Sequence, residues 1–228
     1  MGAIAEALQA VQARINAACA AAGRDPTSVQ LLAVSKTHPA DAIRAAYAAG
    51  QRAFGESYVQ EALAKQAELA DLEIEWHYIG PLQRNKTRVV AEHFAWVHGI
   101  DRVELAERLS RQRHEHLPPL QVCVQVNVGR EASKRGVPPE AALPLARQVA
   151  GLPRLKLRGF MTIPPPSDEP ATQRGYFRIL AALLRQARAE GLDVDTLSMG
   201  MSQDLESAIA EGATIIRVGT AIFGARRG

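Results

Sequence analysis

Eight short apolar runs, each followed by a helix-type segment except the last, constrain this 228-residue chain more than any other feature. The runs fall at 29–36, 52–57, 75–80, 96–100, 120–128, 155–163, 196–201 and 214–224. Segments with helical spacing lie between them, at 39–49, 58–71, 84–92, 102–116, 139–150, 172–190 and 203–211. Strands that alternate with helices imply a parallel sheet covered by helices. Shared evenly, the chain spends about 28 residues on each unit, which is right for a βα unit. Eight units with no linker or composition break favour a closed (β/α)8 TIM barrel that fills residues 1–228 as one domain. An extra amphipathic helix at 2–22 precedes it, with Ile4, Leu8, Val11 and Ile15 on one face and Gly23 as its stop. No G-x-G-x-x-G follows an early strand, which argues against a dinucleotide fold.

Composition removes several functions. A hydrophobic fraction of 47% excludes a disordered chain. No apolar run approaches the roughly 18 to 20 residues of a membrane helix. The N-terminus has an early Glu6 and no apolar h-region, so it reads neither as a secretory signal nor as a myristoylation signal. Two cysteines, Cys19 and Cys123, cannot form a disulfide framework, and a reduced cytoplasmic setting is expected. Cys123 reads as a buried strand residue and Cys19 as a helix-face residue. The net charge of +3 comes from 27 basic and 24 acidic residues, and the basic ones divide into 22 Arg and 5 Lys. The densest Arg cluster, Arg108, Arg111 and Arg113, is interrupted by Glu107 and Glu115, and reads as a solvated helix face. No nucleic-acid or membrane partner is expected. Any lysine amine chemistry must come from Lys36, Lys65, Lys86, Lys134 or Lys156, and of these Lys65 and Lys156 read as surface charges. His93, His114 and His116 read as solvent-facing, and no Cys/His cluster has metal-ligand spacing.

A barrel's active site lies at the C-terminal ends of its strands. The polar or glycine residues at those ends are Ser35, Lys36, Glu56, Ser57, His77, Gly80, His98, Asp101, Asn127, Met161 and Thr162, then Ser198, Met199, Gly200, Arg217, Gly219 and Thr220. Lys36 ends an apolar strand, where desolvation lowers an amine's pKa and makes it a nucleophile for a carbonyl. Alternatively it snorkels into solvent or neutralises a buried acid. Barrels often place a phosphate after strands 7 and 8, and here SMGMS (198–202) and RVGTAIFG (217–224) close those strands. Gly200 and Gly219 allow close backbone approach, Ser198, Ser202 and Thr220 add hydroxyls, and Ser202 could cap the next helix. Arg217, inside an apolar strand, must be paired. It either salt-bridges an inward acid such as Glu56 or Asp101, or holds a ligand. A lysine aldimine, a phosphate pocket and an arginine at the pyridine nitrogen together describe bound pyridoxal 5'-phosphate.

The segments AVSKTHP (33–39), FGESYVQEA (54–62), WHYIGPLQRNK (76–86), VHGID (97–101), QVNVGREASKRGV (125–137), RGFMTIPP (158–165), LSMGMSQDLESAI (197–209) and RVGTAIFGAR (217–226) span nearly the whole chain. In this order they resemble the pyridoxal phosphate homeostasis proteins, single-domain barrels related to the alanine racemase N-terminal domain. The resemblance implies Lys36 as the aldimine lysine and Arg217 near the pyridine nitrogen. It places Ser198, Gly219 and Thr220 around the phosphate, with Met199 and Gly200 in the same loop. His77, Asn85 and Lys134 belong to matching motifs near the mouth. One position departs: the family usually carries Asn where this chain has Ser57, so a weaker or water-mediated contact to the cofactor is expected there.

Racemisation needs a base on each face of the bound substrate. A second domain after strand 8 is not expected, and no tyrosine falls in a segment that matches the opposing base. An arginine at the pyridine nitrogen also keeps the ring a poor electron sink. A non-catalytic, monomeric role in intracellular vitamin B6 homeostasis is therefore expected, with pyridoxal-phosphate-requiring apoenzymes as recipients. The competing readings are a racemase-like enzyme completed by a partner and a Schiff-base aldolase acting through Lys36.

Overall fold

The computed structural model describes residues 2–225, so Arg226 of the last matching segment lies outside the described residues. Eight parallel strands close into a barrel in sequence order. They are β1 (Gln30–Val34), β2 (Ala53–Glu56), β3 (Glu75–Tyr78), β4 (Trp96–Ile100), β5 (Leu120–Gln125), β6 (Leu155–Met161), β7 (Thr196–Ser198) and β8 (Ile215–Val218). Closure is made by β1 against β8, in a register running from Gln30↔Ile215 to Ala33↔Val218. The covering helices are α1 (Ala3–Ala21), α2 (Ala40–Ala48), α3 (Val59–Glu68), α4 (Thr87–His93), α5 (Val103–Gln112), α6 (Pro139–Ala150), α7 (Pro170–Ala189), α8 (Leu205–Ala210) and α9 (Thr220–Phe223). None of the described helices is long and apolar enough to cross a membrane.

The extra helix α1 buries Leu8, Val11, Ile15, Ala18 and Cys19, a three-and-four spacing that makes one apolar face. Gly23, at φ +64, takes the left-handed turn that ends it. Its Arg14 reaches the loop after β7, donating to the Ser202 carbonyl at 3.0 Å and pairing with Glu206 of α8.

Several boundaries differ from the sequence reading. The run 214–224 is strand only to Val218; Gly219 turns the chain and Thr220–Phe223 forms α9, with Ile222 buried. A short all-apolar run carries no period that separates strand from helix. The run 196–201 stops at Ser198, because Gly200 at φ +96 leaves the strand region. Asn127 follows β5 rather than ending it, and its side chain holds the next loop by donating to the Glu131 carbonyl at 2.8 Å. The segment 84–92 opens as a 3-10 turn (Arg84–Lys86) before α4. Arg113, expected on a solvated face, is buried just beyond α5. Its guanidinium donates to the carbonyls of Ala91, Phe94 and Pro118, which explains how a charge is tolerated there.

Two apolar clusters hold the barrel. The larger lies between strands and helices and includes Phe54, Phe160 and Phe177, each fully buried. The smaller gathers Leu32, Ala53, Trp96, Cys123, Met161 and Ile215. Period-two alternation carries Leu32, Val34 and Lys36 to one side of β1, and Ile215, Arg217 and Gly219 to one side of β8. The last members of these inward rows reach the mouth of the barrel.

One glycine lets β6 approach β7 closely. The β5–β6 pairing shifts between Val122 and Cys123, and Gly159 of β6 sits at φ +150. A Cβ there would lie 2.0 Å from the Thr196 carbonyl oxygen. Gly159→Ala is therefore expected to cost about 3 kcal/mol through overpacking and backbone strain. Urea unfolding of the two proteins checks this as a lowered midpoint with an unchanged slope.

Candidate functional site

The mouth of the barrel opens into a cavity of about 720 Å3. Lys36, Ser57, Arg217, Gly219 and Thr220 line it together. Lys134, Ile79, His38, Met201, Ser202 and Asp204 contribute further wall. Those residues come from at least five different loops, so only the closed barrel assembles them.

Lys36 sits on a turn held by its neighbours. Ser35 Oγ donates to Glu56 at 2.6 Å, and the His38 amide donates to the Ser35 carbonyl at 3.0 Å. Thr37 adopts φ +66, a conformation unfavourable for a β-branched residue. Its amide is fixed by the Glu61 carboxylate at 2.6 Å. Lys65, expected at the surface, is buried behind this turn. Its Nζ donates to the Ser35 carbonyl at 2.8 Å and to Glu56 at 2.7 Å, and it also pairs with Glu61. Burial pushes the Glu56 carboxyl above its usual range, and the Lys65 ammonium opposes that shift. A signal for Lys65 was present in the sequence. Val59, Ala62 and Lys65 recur every three residues on the buried face of α3.

Arg217 is almost fully buried, and neither Glu56 nor Asp101 is its partner. Glu56 belongs to Lys65, while Asp101 pairs with Arg102 and Arg135. Instead, the guanidinium donates to Ser198 Oγ and to the Thr162 carbonyl, each at 2.8 Å. Burial lowers its pKa to about 10, with the Asp204 charge opposing, so it remains a cation at neutral pH. Asp204 precedes α8 and accepts the Met201 amide at 2.6 Å, so it, rather than Ser202, flanks the helix start.

Five anticipated residues lie elsewhere. His77 and Ser198 are fully buried inside the barrel, below the cavity, because they occupy inward positions within β3 and β7 rather than beyond them. Asn85 is exposed on the 3-10 turn before α4. Met199 is buried in the larger apolar cluster. Gly200 packs against α8, where a Cβ would meet Ala208 Cβ at 2.5 Å. The Arg217 amide donates to its carbonyl at 3.0 Å. His98, within β4, is also fully buried.

This donor set suits a small anionic aldehyde. The volume lies within the roughly 300–1,000 Å3 of small-molecule sites. An amine and a guanidinium stand in one chamber, beside the start of α9, where the Ile222 and Phe223 amides donate to the Gly219 carbonyl at 2.9 Å. Among the described residues, no group of acidic, histidine or cysteine side chains could hold a metal ion.

The closed parallel barrel with its mouth cavity is that of the alanine racemase N-terminal class, and the family described as "Alanine racemase, N-terminal domain" matches residues 7–227. A pyridoxal phosphate homeostasis protein from Pseudomonas aeruginosa is 60% identical over 226 residues, covering 99% of this chain and 97% of that protein. The chain belongs to the pyridoxal phosphate homeostasis protein family. PipY of Synechococcus elongatus, solved with pyridoxal phosphate bound, is similar at a TM-score of 0.82 and 44% identity, covering 97% of this chain and 100% of that one. Alanine racemase from Corynebacterium glutamicum shares the fold at a TM-score of 0.72 and 20% identity, covering 98% of this chain and 61% of that one.

Proposed function

We propose that this protein binds pyridoxal 5'-phosphate in the mouth cavity and serves intracellular vitamin B6 homeostasis as a carrier, not a catalyst. The observation that carries the proposal is the shared chamber of Lys36 and Arg217, with Gly219 and Thr220 on its wall. Pyridoxal phosphate supplies an aldehyde for an amine, a ring that absorbs near the visible edge, and a phosphate. Lys36 would present the amine, Arg217 would donate to the ring nitrogen, and Gly219 and Thr220 would receive the phosphate. Ser57, at the end of the inward row of β2, lines the same cavity and would contact the cofactor. Lys134, whose Nζ donates to the Pro164 carbonyl at 3.1 Å, closes the rim.

A cationic Arg217 would donate a hydrogen bond and accept none, so the ring nitrogen would stay unprotonated and the ring a weak electron sink. Among the described residues that line the cavity, none is a tyrosine to act as a second base. Both features support carriage over racemisation. The protein acts as a single barrel domain, a monomer in the cytoplasm, and hands its cargo to apoenzymes.

Titration of the purified protein with pyridoxal phosphate is expected to give a saturable near-visible band. Borohydride should fix the adduct on the peptide containing Lys36. Absence of the band would overturn binding, and exchange of amino-acid α-hydrogen in heavy water at ordinary enzyme rates would overturn the carrier role. Ser57→Asn is expected to tighten binding about fivefold, the worth of one hydrogen bond of about 1 kcal/mol. Equilibrium dialysis of both proteins reads this directly.

A further inference from the structure

The closed interior of a TIM barrel is ordinarily filled by layers of branched apolar side chains. Here an unbroken string of polar groups runs through it. Arg217 Nη1 lies 2.8 Å from Ser198 Oγ, and Ser198 Oγ lies 2.7 Å from His98 Nδ1. His98 Nε2 lies 2.9 Å from His77 Nδ1, and His77 Nε2 lies 2.8 Å from the Glu75 carboxylate. Ser198, His98 and His77 are fully buried, whereas the Glu75 side chain is 43% exposed at the opposite end of the barrel.

Only one direction of donation satisfies every link. Arg217 can only donate, and an ionised Glu75 can only accept. His77 must therefore carry its proton on Nε2, leaving Nδ1 to accept. His98 must then donate from Nε2 and accept at Nδ1, and Ser198 must donate to it while accepting from Arg217. The opposite tautomers would turn the bare His77 Nε2 lone pair towards a carboxylate. Burial holds both imidazole pKa values down, which keeps the rings neutral as the pattern demands. The hydrogen bond from His77 holds the Glu75 carboxyl below its usual range, which keeps it ionised. Stacking of His77 on Trp96, at 5.2 Å between centroids and 6° between planes, locks the ring in this orientation.

We infer that Glu75 is a positioning residue for Arg217, acting through the barrel by a one-way chain Arg217→Ser198→His98→His77→Glu75. Aligned donors polarise one another, so the carboxylate at the far end strengthens the hold on the guanidinium. Arg217 is thereby fixed as an oriented cation with its remaining donors available to the cavity. The consequence for the ring nitrogen rests on the function proposed above, but the chain itself does not need the cofactor.

The test uses the full-length 15N-labelled protein without cofactor. Long-range histidine spectra are expected to show His77 and His98 each with Nε2 protonated and Nδ1 bare. Glu75→Leu removes the terminal acceptor. It should mix the His77 and His98 tautomers and shift the Arg217 guanidinium signals, although no atom near Arg217 has changed. Glu75→Gln keeps an acceptor, so it should restore the histidine pattern and reduce the Arg217 shift. Glu92→Gln, at the same end of the barrel but outside the chain, should shift nothing at Arg217. A proton on Nδ1 of either ring in the unmodified protein overturns the inference, and this outcome needs no variant to fold. So do unmoved Arg217 signals in Glu75→Leu. If the chain behaves as expected but no near-visible band forms on adding pyridoxal phosphate, the proposed function fails and the inference stands.

Discussion

Lys36→Ala is expected to abolish covalent retention of pyridoxal phosphate. The near-visible band should be absent, and borohydride should leave no added mass on any peptide. The loss is total because no other lysine can substitute. Lys65 is committed to Glu56 and Glu61 behind the cavity wall, Lys156 pairs with Asp193 away from the mouth, and Lys86 lies on the turn before α4. Lys134 does line the chamber, but its Nζ is tied to the Pro164 carbonyl and to Glu131 at 2.9 Å. The variant should fold as the parent does, since Lys36 is only half-buried and the turn around it is held by other groups. Residual noncovalent binding through Arg217 and Thr220 should persist, weakened, and dialysis would detect it. A retained adduct on another lysine would reassign the site.

Lys65→Ala is expected to destabilise the fold by about 3–5 kcal/mol, the range for removing one partner of a buried ion pair. It strands Glu56, which is fully buried and already has one oxygen, Oε2, without a hydrogen-bond partner. It also releases the Ser35 carbonyl and loosens Glu61, the group that fixes the Thr37 amide. Cofactor affinity should therefore fall with stability, although Lys65 does not line the cavity. The combined change Lys65→Met with Glu56→Leu removes both charges together and should recover most of the stability. Urea unfolding separates the two outcomes. A single variant as stable as the parent would show that the pair carries no weight.

The barrel was legible because eight βα periods leave few alternatives, and Lys36, Ser57, Arg217, Gly219 and Thr220 were legible because the mouth is built at strand ends. Depth along each strand was less legible. In a parallel barrel both faces of each strand are buried, so polarity alternation does not mark which residues point inward. His77, His98 and Ser198 therefore read as mouth residues, although they lie one step below it. Arg217 demanded a partner, and carboxylates were the obvious choice. The answer was a hydroxyl and a backbone carbonyl, which no sequence pattern announces. Lys65 was readable from its place on the apolar stripe of α3, but its charge pointed to solvent.

Barrel closure also ties the site to the order of synthesis. Residues 215–218 pair with residues 30–33, so the first strand to leave the ribosome waits for the last. Lys36 precedes Arg217 by roughly ten to forty seconds at about 5–20 residues per second. A nascent chain thus exposes the Lys36 amine long before a chamber exists to shelter it. On the proposed function the cofactor is gathered only by a finished barrel, so its possession would certify that translation has run past β8. A chain cut short before Gly219 would display the amine and hold nothing.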